Sequence, residues 1–226
     1  AECTVLSPST APAAFYFPSG VATNGAVVMT DGRIAATYSE APPVERVEDE
    51  DQVRARWNGR MCDWIDVSGQ SVTPGLIAVS TQLGVIEVGA EKSSRDDAAK
   101  HADNIRSHFK VTQGYNPRSS LIPVARTHGI TSATVHPSGG AVSGSVGWVD
   151  LAGRTQRESV VREGIAMEAN ADWLFLSNIL AEVRFWQKNR TGYDQNRTRP
   201  IQLSKPQLEA MLPVVQMEQP LIVTVH

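Results

Sequence analysis

Residues 71–84 read SVTPGLIAVSTQLG. The Pro74-Gly75 pair punctuates the start of an apolar run from Leu76 to Leu83, and a short run of this kind bounded by turn residues reads as a strand. Side chains two apart on a strand point to the same side, so Ser80 and Gln82 share one face at its C-terminal end.

Upstream, DWIDVSGQ predicts a short strand at Trp64 to Val67 and a Ser68-Gly69 turn. Further back, GAVVMTDGRIAATY, Gly25 to Tyr38, places Val27, Val28 and Met29 before an Asp31-Gly32 turn, with Ile34 and Ala36 alternating after it. Asp-Gly readily adopts the positive φ values of a tight hairpin. Between these, APPVERVEDEDQVRARWNG is polar, Pro-bearing and acidic from Glu45 to Asp51, which predicts a solvated loop rather than a metal site.

Downstream, Glu87 to Gln113 is charged and poorly periodic and predicts a long loop over one end of a scaffold. Then NPRSSLIPVARTHGITSATVHPSGG gives a helix over Ser119 to Thr127, a Gly129 stop and a strand from Ile130 to His136. A helix ended by Gly and followed by a β-branched strand is the αβ half of a parallel-sheet unit. Two more such elements follow. One carries Ile179, Leu180, Val183 and Trp186 on a single helical face, and the other sets a Ser204-capped helix before the strand Leu221 to Val225. That strand is continuously apolar, as expected where helices cover both faces of a parallel sheet. A domain ending there would leave an unpaired apolar edge, so the chain is expected to be part of a larger fold.

The 226 residues, 41% of them hydrophobic, are enough for a substantial core. A formal charge of -3 gives no electrostatic footprint for nucleic acid or an anionic membrane surface, and neither partner is expected. No apolar run approaches the roughly 18 to 20 residues of a membrane-spanning helix. The small, polar beginning AECTVLSPSTAPAAFYFPSG suits a mature chain after signal-peptide removal, and equally a trimmed one. A periplasmic or secreted location is the expectation, with the cytoplasm as the alternative. Cys3 and Cys62 are too few for a disulfide framework; they either form one bridge in an oxidising compartment or remain a flexible terminal thiol and a semi-buried one.

The motifs VVMTDGRIAA, VTPGLIAVSTQLG, NPRSSLIPVARTHGITSATVHPSGGAVSGSVGWVDLAG and LPVVQMEQPLIVTVH resemble the amidohydrolase superfamily, specifically its imidazolonepropionase-like and related branch. In that family Pro-Gly-Leu-Ile leads into a His-x-His pair followed by Leu-Gly. The resemblance implies an α/β fold: a partial (β/α)8 TIM-type barrel, residues 71–226, preceded by a small β-sandwich portion with an acidic loop, residues 1–70. It further implies metal-dependent hydrolysis of amide, cyclic amide or related C–N bonds. The remaining strands, with a later metal histidine and a general-base aspartate, have no counterpart in these residues.

In such sites a zinc or iron ion lowers the pKa of bound water to about 7 and a carboxylate takes the proton. Ser80 and Gln82 stand where the two histidines are expected, and neutral oxygen donors bind a borderline transition metal far more weakly than imidazole. Ala78 replaces the carboxylate that usually precedes the pair. Ser80, Gln82 and His136 are therefore candidate ligand-binding residues. His226, at the end of the last apolar strand, is the candidate metal ligand, and its alternative is a solvent-exposed terminal histidine. His101, His108 and His128 read as surface residues. Gly139, Gly140 and Gly144 read as a tight loop rather than an anion cradle. The N-x-T sequons at Asn189 and Asn196 carry meaning only in a source that glycosylates exported proteins, and the basic residues around them read as a solvated loop.

The expected function is that of a divergent or catalytically impaired amidohydrolase-like protein, a non-catalytic subunit among the options. The alternatives are an active metal hydrolase completed by a second segment or chain, and a small-ligand binding module. Expected partners are the remainder of the barrel or a second amidohydrolase-like chain, and a small-molecule ligand. Zinc or iron is the expected cofactor if the protein is active, and no cofactor is the alternative.

Overall fold

The computed structural model describes residues 2–40, 42–49, 52–99 and 103–224, which divide at Pro74 into two compact units. The first unit is entirely β. Its strands are β1 (Cys3–Ser7), β2 (Ala14–Phe17), β3 (Gly20–Thr23), β4 (Ala26–Thr30), β5 (Arg33–Tyr38), β6 (Val44–Asp49), β7 (Gln52–Trp57), β8 (Arg60–Asp66) and β9 (Ser71–Val72). They form a six-stranded sheet ordered β5-β4-β1-β8-β7-β6 and a three-stranded sheet ordered β3-β2-β9.

The β4–β5 hairpin turns as the sequence predicts, with Asp31 and Gly32 both at positive φ, 52° and 73°. Phe15 and Ala22 of the small sheet pack with Val27 of the large one and with Val67, which follows β8. On the opposite face of the large sheet, Val5, Val28 and Ala55 enclose a disulfide between Cys3 and Cys62. Tyr38 and Trp57 belong to the same cluster, and Trp57 Nε1 donates to the Tyr38 hydroxyl at 2.9 Å, so the sheet curls until β5 approaches β7. Cys3 is thus a buried, bridged residue and not a flexible terminal thiol.

The acidic run from Glu45 is a hairpin strand and not a solvated loop; Glu50 and Asp51 lie outside the described residues. The reason is cross-strand pairing. Glu45 sits opposite Arg56, whose guanidinium donates to its carboxylate at 3.1 Å, and Val44 lies opposite Trp57. Opposite charges and apolar pairs facing each other stabilise a ladder, and the partner strand is invisible in the composition of the acidic run alone.

The second unit contains β10 (Leu76–Thr81), α1 (Leu121–Thr127), β11 (Ile130–Val135), β12 (Val142–Asp150), α2 (Gln156–Ser159), β13 (Val160–Ala169), α3 (Trp173–Lys188), α4 (Arg190–Asp194), α5 (Lys205–Val215) and β14 (Leu221–Val223). The five strands lie in the order β10-β11-β12-β13-β14. β10 and β11 are parallel, as are β13 and β14, but β12 runs antiparallel to both its neighbours.

This overturns the expected α/β fold with a partial (β/α)8 barrel. A barrel of that type alternates every strand with a helix and keeps all strands parallel. Here β11 is followed by a tight loop and an antiparallel return, and strand exceeds helix, 38% against 23%, with five α-helices among the described residues. The architecture is mostly β with mixed sheets. The strands β12 and β13 escaped the sequence patterning because SGSVG in one and REG in the other interrupt the β-branched alternation.

One face of the five-stranded sheet is the core side. Leu176, Ile179, Leu180, Val183 and Trp186 of α3 and Leu208 and Met211 of α5 pack on Val142, Met167 and Ala169. Each such buried side chain contributes about 1.5–3 kcal/mol relative to exposure. Ala133 and Val135 pack instead with Ile122 of α1 and with Val85, Val111 and Tyr115 from the long excursion between β10 and β11. Asp172 caps α3 by accepting from the Phe175 N–H at 2.9 Å, and Ser204 and Gln207 form a reciprocal capping box on α5. The opposite face carries Thr134, His136 and Glu168, and beside them Ile77 and Val79 of β10 are 55% and 72% exposed. Among the described residues, helices cover only one face of this sheet, in contrast to the two-sided covering inferred from the apolar run of β14.

Candidate functional site

Since β12 reverses direction between β11 and β13, the four strands β10, β11, β13 and β14 all point the same way. Their C-terminal ends therefore meet along one edge of the sheet. Two polar networks lie there.

The first centres on Asp97, whose side chain is 1% exposed. Gln82 Nε2 donates to Asp97 Oδ2 at 3.1 Å, Arg95 pairs with it at 3.2 Å, and the Ser138 hydroxyl donates to the same oxygen. The Ser138 N–H adds a bond to the Asp97 carbonyl at 2.7 Å. Burial by itself raises the Asp97 carboxyl, but hydrogen bonds from Arg95 and Ser138, with the guanidinium charge, outweigh it and hold the group below its ordinary value.

The second runs across the sheet. The Ser80 N–H donates to Thr134 Oγ1 at 3.0 Å, Thr134 Oγ1 lies 3.1 Å from His136 Nε2, and His136 Nδ1 lies 2.9 Å from Glu168 Oε2. The Thr224 hydroxyl donates to the other carboxylate oxygen, Oε1, at 3.1 Å. A carboxylate on Nδ1 assigns the neutral imidazole proton to that nitrogen, which leaves Nε2 to accept from Thr134.

The structure separates the sequence candidates. Ser80 and His136 join the second network, Gln82 joins the first, and His226 lies outside the described residues, as does His101. Ser80 stands at φ 56°, and the β10–β11 register shifts between Ala78 and Thr81. The regular alternation that would set residues 80 and 82 side by side is interrupted there. His128 is exposed and bonds the Val124 carbonyl of its own helix at 2.9 Å. At Gly140, φ 74°, a Cβ would fall 2.7 Å from the Asn104 carbonyl oxygen, so close backbone approach accounts for that glycine.

Among the described residues, the side chains at this edge do not form a donor set for a zinc or iron ion. Among the described residues no group of three or more His, Cys, Asp or Glu side chains converges to hold a metal. Gln82 is held by Asp97, and both ring nitrogens of His136 already have partners. Among the described residues, no helix is long and apolar enough to cross a membrane.

No protein-family model and no curated protein matches this chain. Among solved structures it is similar to an amidohydrolase from Thermotoga maritima MSB8, with a TM-score of 0.73 and 16% sequence identity over 99% of this chain. The chain spans 58% of the length of that amidohydrolase. The two share a fold over that portion, which makes the chain amidohydrolase-like in architecture.

Sequence patterning missed Asp97, Thr134 and Glu168. Asp97 is hidden in the charged stretch EKSSRDDAAK, where nothing in the sequence separates it from the other charged residues. Glu168 leaves one legible signal, a lone carboxylate in the small and apolar run GIAMEA.

Proposed function

We propose that this protein is a divergent amidohydrolase-like protein that has lost the metal site at the end of β10 and is impaired in metal-dependent hydrolysis of C–N bonds. It acts as a subunit or segment that lends its fold and rim to a second amidohydrolase-like chain. The observation that carries this is the Gln82 amide bound to Asp97 at 3.1 Å, where an imidazole would face a metal. A buried carboxylate already matched by Arg95, Ser138 and Gln82 leaves little affinity for a cation at that position.

A partner is supported by the edges of the five-stranded sheet. Leu76, Ile77 and Val79 on β10 and Ile222 on β14 are exposed, and apolar edge strands of this kind favour pairing with further chain. Beside β10, a groove of about 500 Å³ is lined by Ala78, Leu83, Ile86, Leu121, Ala125 and Ile130. An exported location is supported by the buried Cys3–Cys62 bridge, because such bonds persist in oxidising compartments.

Metal analysis of the purified full-length protein tests the proposal. The expected result is a small fraction of an equivalent of zinc or iron, with no change in fold after chelation. About one equivalent of either metal, lost together with hydrolytic activity in His226→Ala, would overturn it in favour of an active metal hydrolase.

A further inference from the structure

The chain Ser80 N–H, Thr134, His136, Glu168, Thr224 has the order of a nucleophile, a base and an orienting acid. We propose that Thr134, His136 and Glu168 form a metal-independent acyl-transfer site for small activated esters. This goes beyond the loss of the metal site at the end of β10 and uses no metal.

The proton inventory sets the direction. The Ser80 N–H occupies one lone pair of Thr134 Oγ1, and with the imidazole proton assigned to Nδ1 the Thr134 hydroxyl is the donor to His136 Nε2, 3.1 Å away. Glu168, 12% exposed at its side chain, holds Nδ1–H at 2.9 Å and is itself fixed by Thr224. A hydroxyl within reach of a base that a third group orients is the general signature of an activated nucleophile. Ser80 reaches Thr134 because of its positive φ and the register shift beside it, a local departure from regular strand geometry at this spot. Thr134 and His136 lie on the face opposite the buried Ala133 and Val135, the side on which no helix packs among the described residues.

In the first step Thr134 Oγ1 attacks the ester carbonyl and its proton passes to His136 Nε2. The ester C–O bond breaks, and the imidazolium returns the proton to the leaving alkoxide. Water, deprotonated by His136, then attacks the acyl-threonine, releasing the carboxylic acid and restoring the hydroxyl. Glu168 is a positioning residue that holds the imidazole in the required tautomer.

The full-length protein is incubated with a fluorophosphonate, which forms an Oγ–P bond with loss of fluoride, and the adduct is located by peptide mass spectrometry. p-Nitrophenyl acetate hydrolysis is followed in parallel with and without chelator. Labelling of Thr134 is expected, together with turnover that survives chelation and falls roughly 100-fold in Thr134→Val. Thr134→Ser should retain labelling, and Glu168→Gln should lower kcat with KM unchanged, which a purely structural role would not separate. Absence of an adduct on Thr134 in the folded wild-type protein would overturn the proposal whether or not any variant folds. So would turnover indifferent to Thr134→Val; turnover abolished by chelator would instead count against the metal-impaired reading above and this one together.

Discussion

His136 and Glu168 meet at 2.9 Å although 32 residues and the whole of β12 separate them. The contact exists because β12 reverses the chain once and β13 reverses it again, returning Glu168 to the edge where β11 ends. A carboxylate buried at a sheet end is stable only when its oxygens are satisfied, and His136 and Thr224 take one each. The same edge holds Asp97 with its own three side-chain partners.

Asp97→Asn should destabilise the second unit by about 1–3 kcal/mol, the range for losing charge-assisted hydrogen bonds at a buried group. A carboxyl whose folded pKa lies below its ordinary value of 3.8 binds fewer protons folded than unfolded. Its stabilisation is full above that value and is lost as pH falls through the folded pKa. Urea midpoints measured from about pH 7 to about pH 2 should therefore drop more steeply for wild type than for Asp97→Asn. Parallel curves would show that Asp97 contributes no acid-linked stability.

The Cys3–Cys62 bridge closes a loop with a sequence separation of 59. Chain entropy assigns such a loop roughly 4 kcal/mol. The double variant Cys3→Ser/Cys62→Ser should lower the stability of residues 1–74 by an amount of that order, read as a shifted denaturation midpoint for Trp57 and Trp64 fluorescence. Reducing agent should shift wild type in the same direction and leave the variant unchanged.

Tyr115 is 1% exposed, and its hydroxyl has no hydrogen-bond partner among the described residues. Burial, followed by the charge of Asp150, pushes the phenol up to about 12. Tyr115→Phe removes an unsatisfied buried group, so stability should stay within about 1 kcal/mol of wild type or rise. Because the folded pKa is raised from 10.0 to about 12, wild type should lose stability as pH climbs through that interval while Tyr115→Phe keeps it. Thermal melts across the alkaline range read the difference.

Placing histidines at Ser80 and Gln82 should not by itself create a zinc site. Ser80 at φ 56° and the register shift between Ala78 and Thr81 break the alternation that a paired ligand set needs. The double variant Ser80→His/Gln82→His is expected to carry no zinc through gel filtration. Retained zinc would mean that the strand end rearranges readily around an ion.

Much of the local structure was legible from the chain alone. Asp31-Gly32 announces its hairpin, the face of Ile179, Leu180, Val183 and Trp186 announces α3, and Ser204 announces the start of α5, because hairpin turns, helix faces and caps are encoded within a few residues. The run from Leu76 announced β10. The acidic hairpin strand is not legible in its own composition, because its stabilisation comes from Arg56 and Trp57 on the facing strand.

By itself the sequence determined which segments are apolar, where the main turns and helix caps fall, and that residues 80 and 82 carry neutral side chains. Only the tertiary structure decided the direction of β12, and with it the mixed sheet in place of a parallel one. That reversal brings Glu168 to His136, and the folded excursion between β10 and β11 brings Asp97 to Gln82. Strand direction and pairing depend on contacts between residues far apart in the chain, and local propensity carries no record of them.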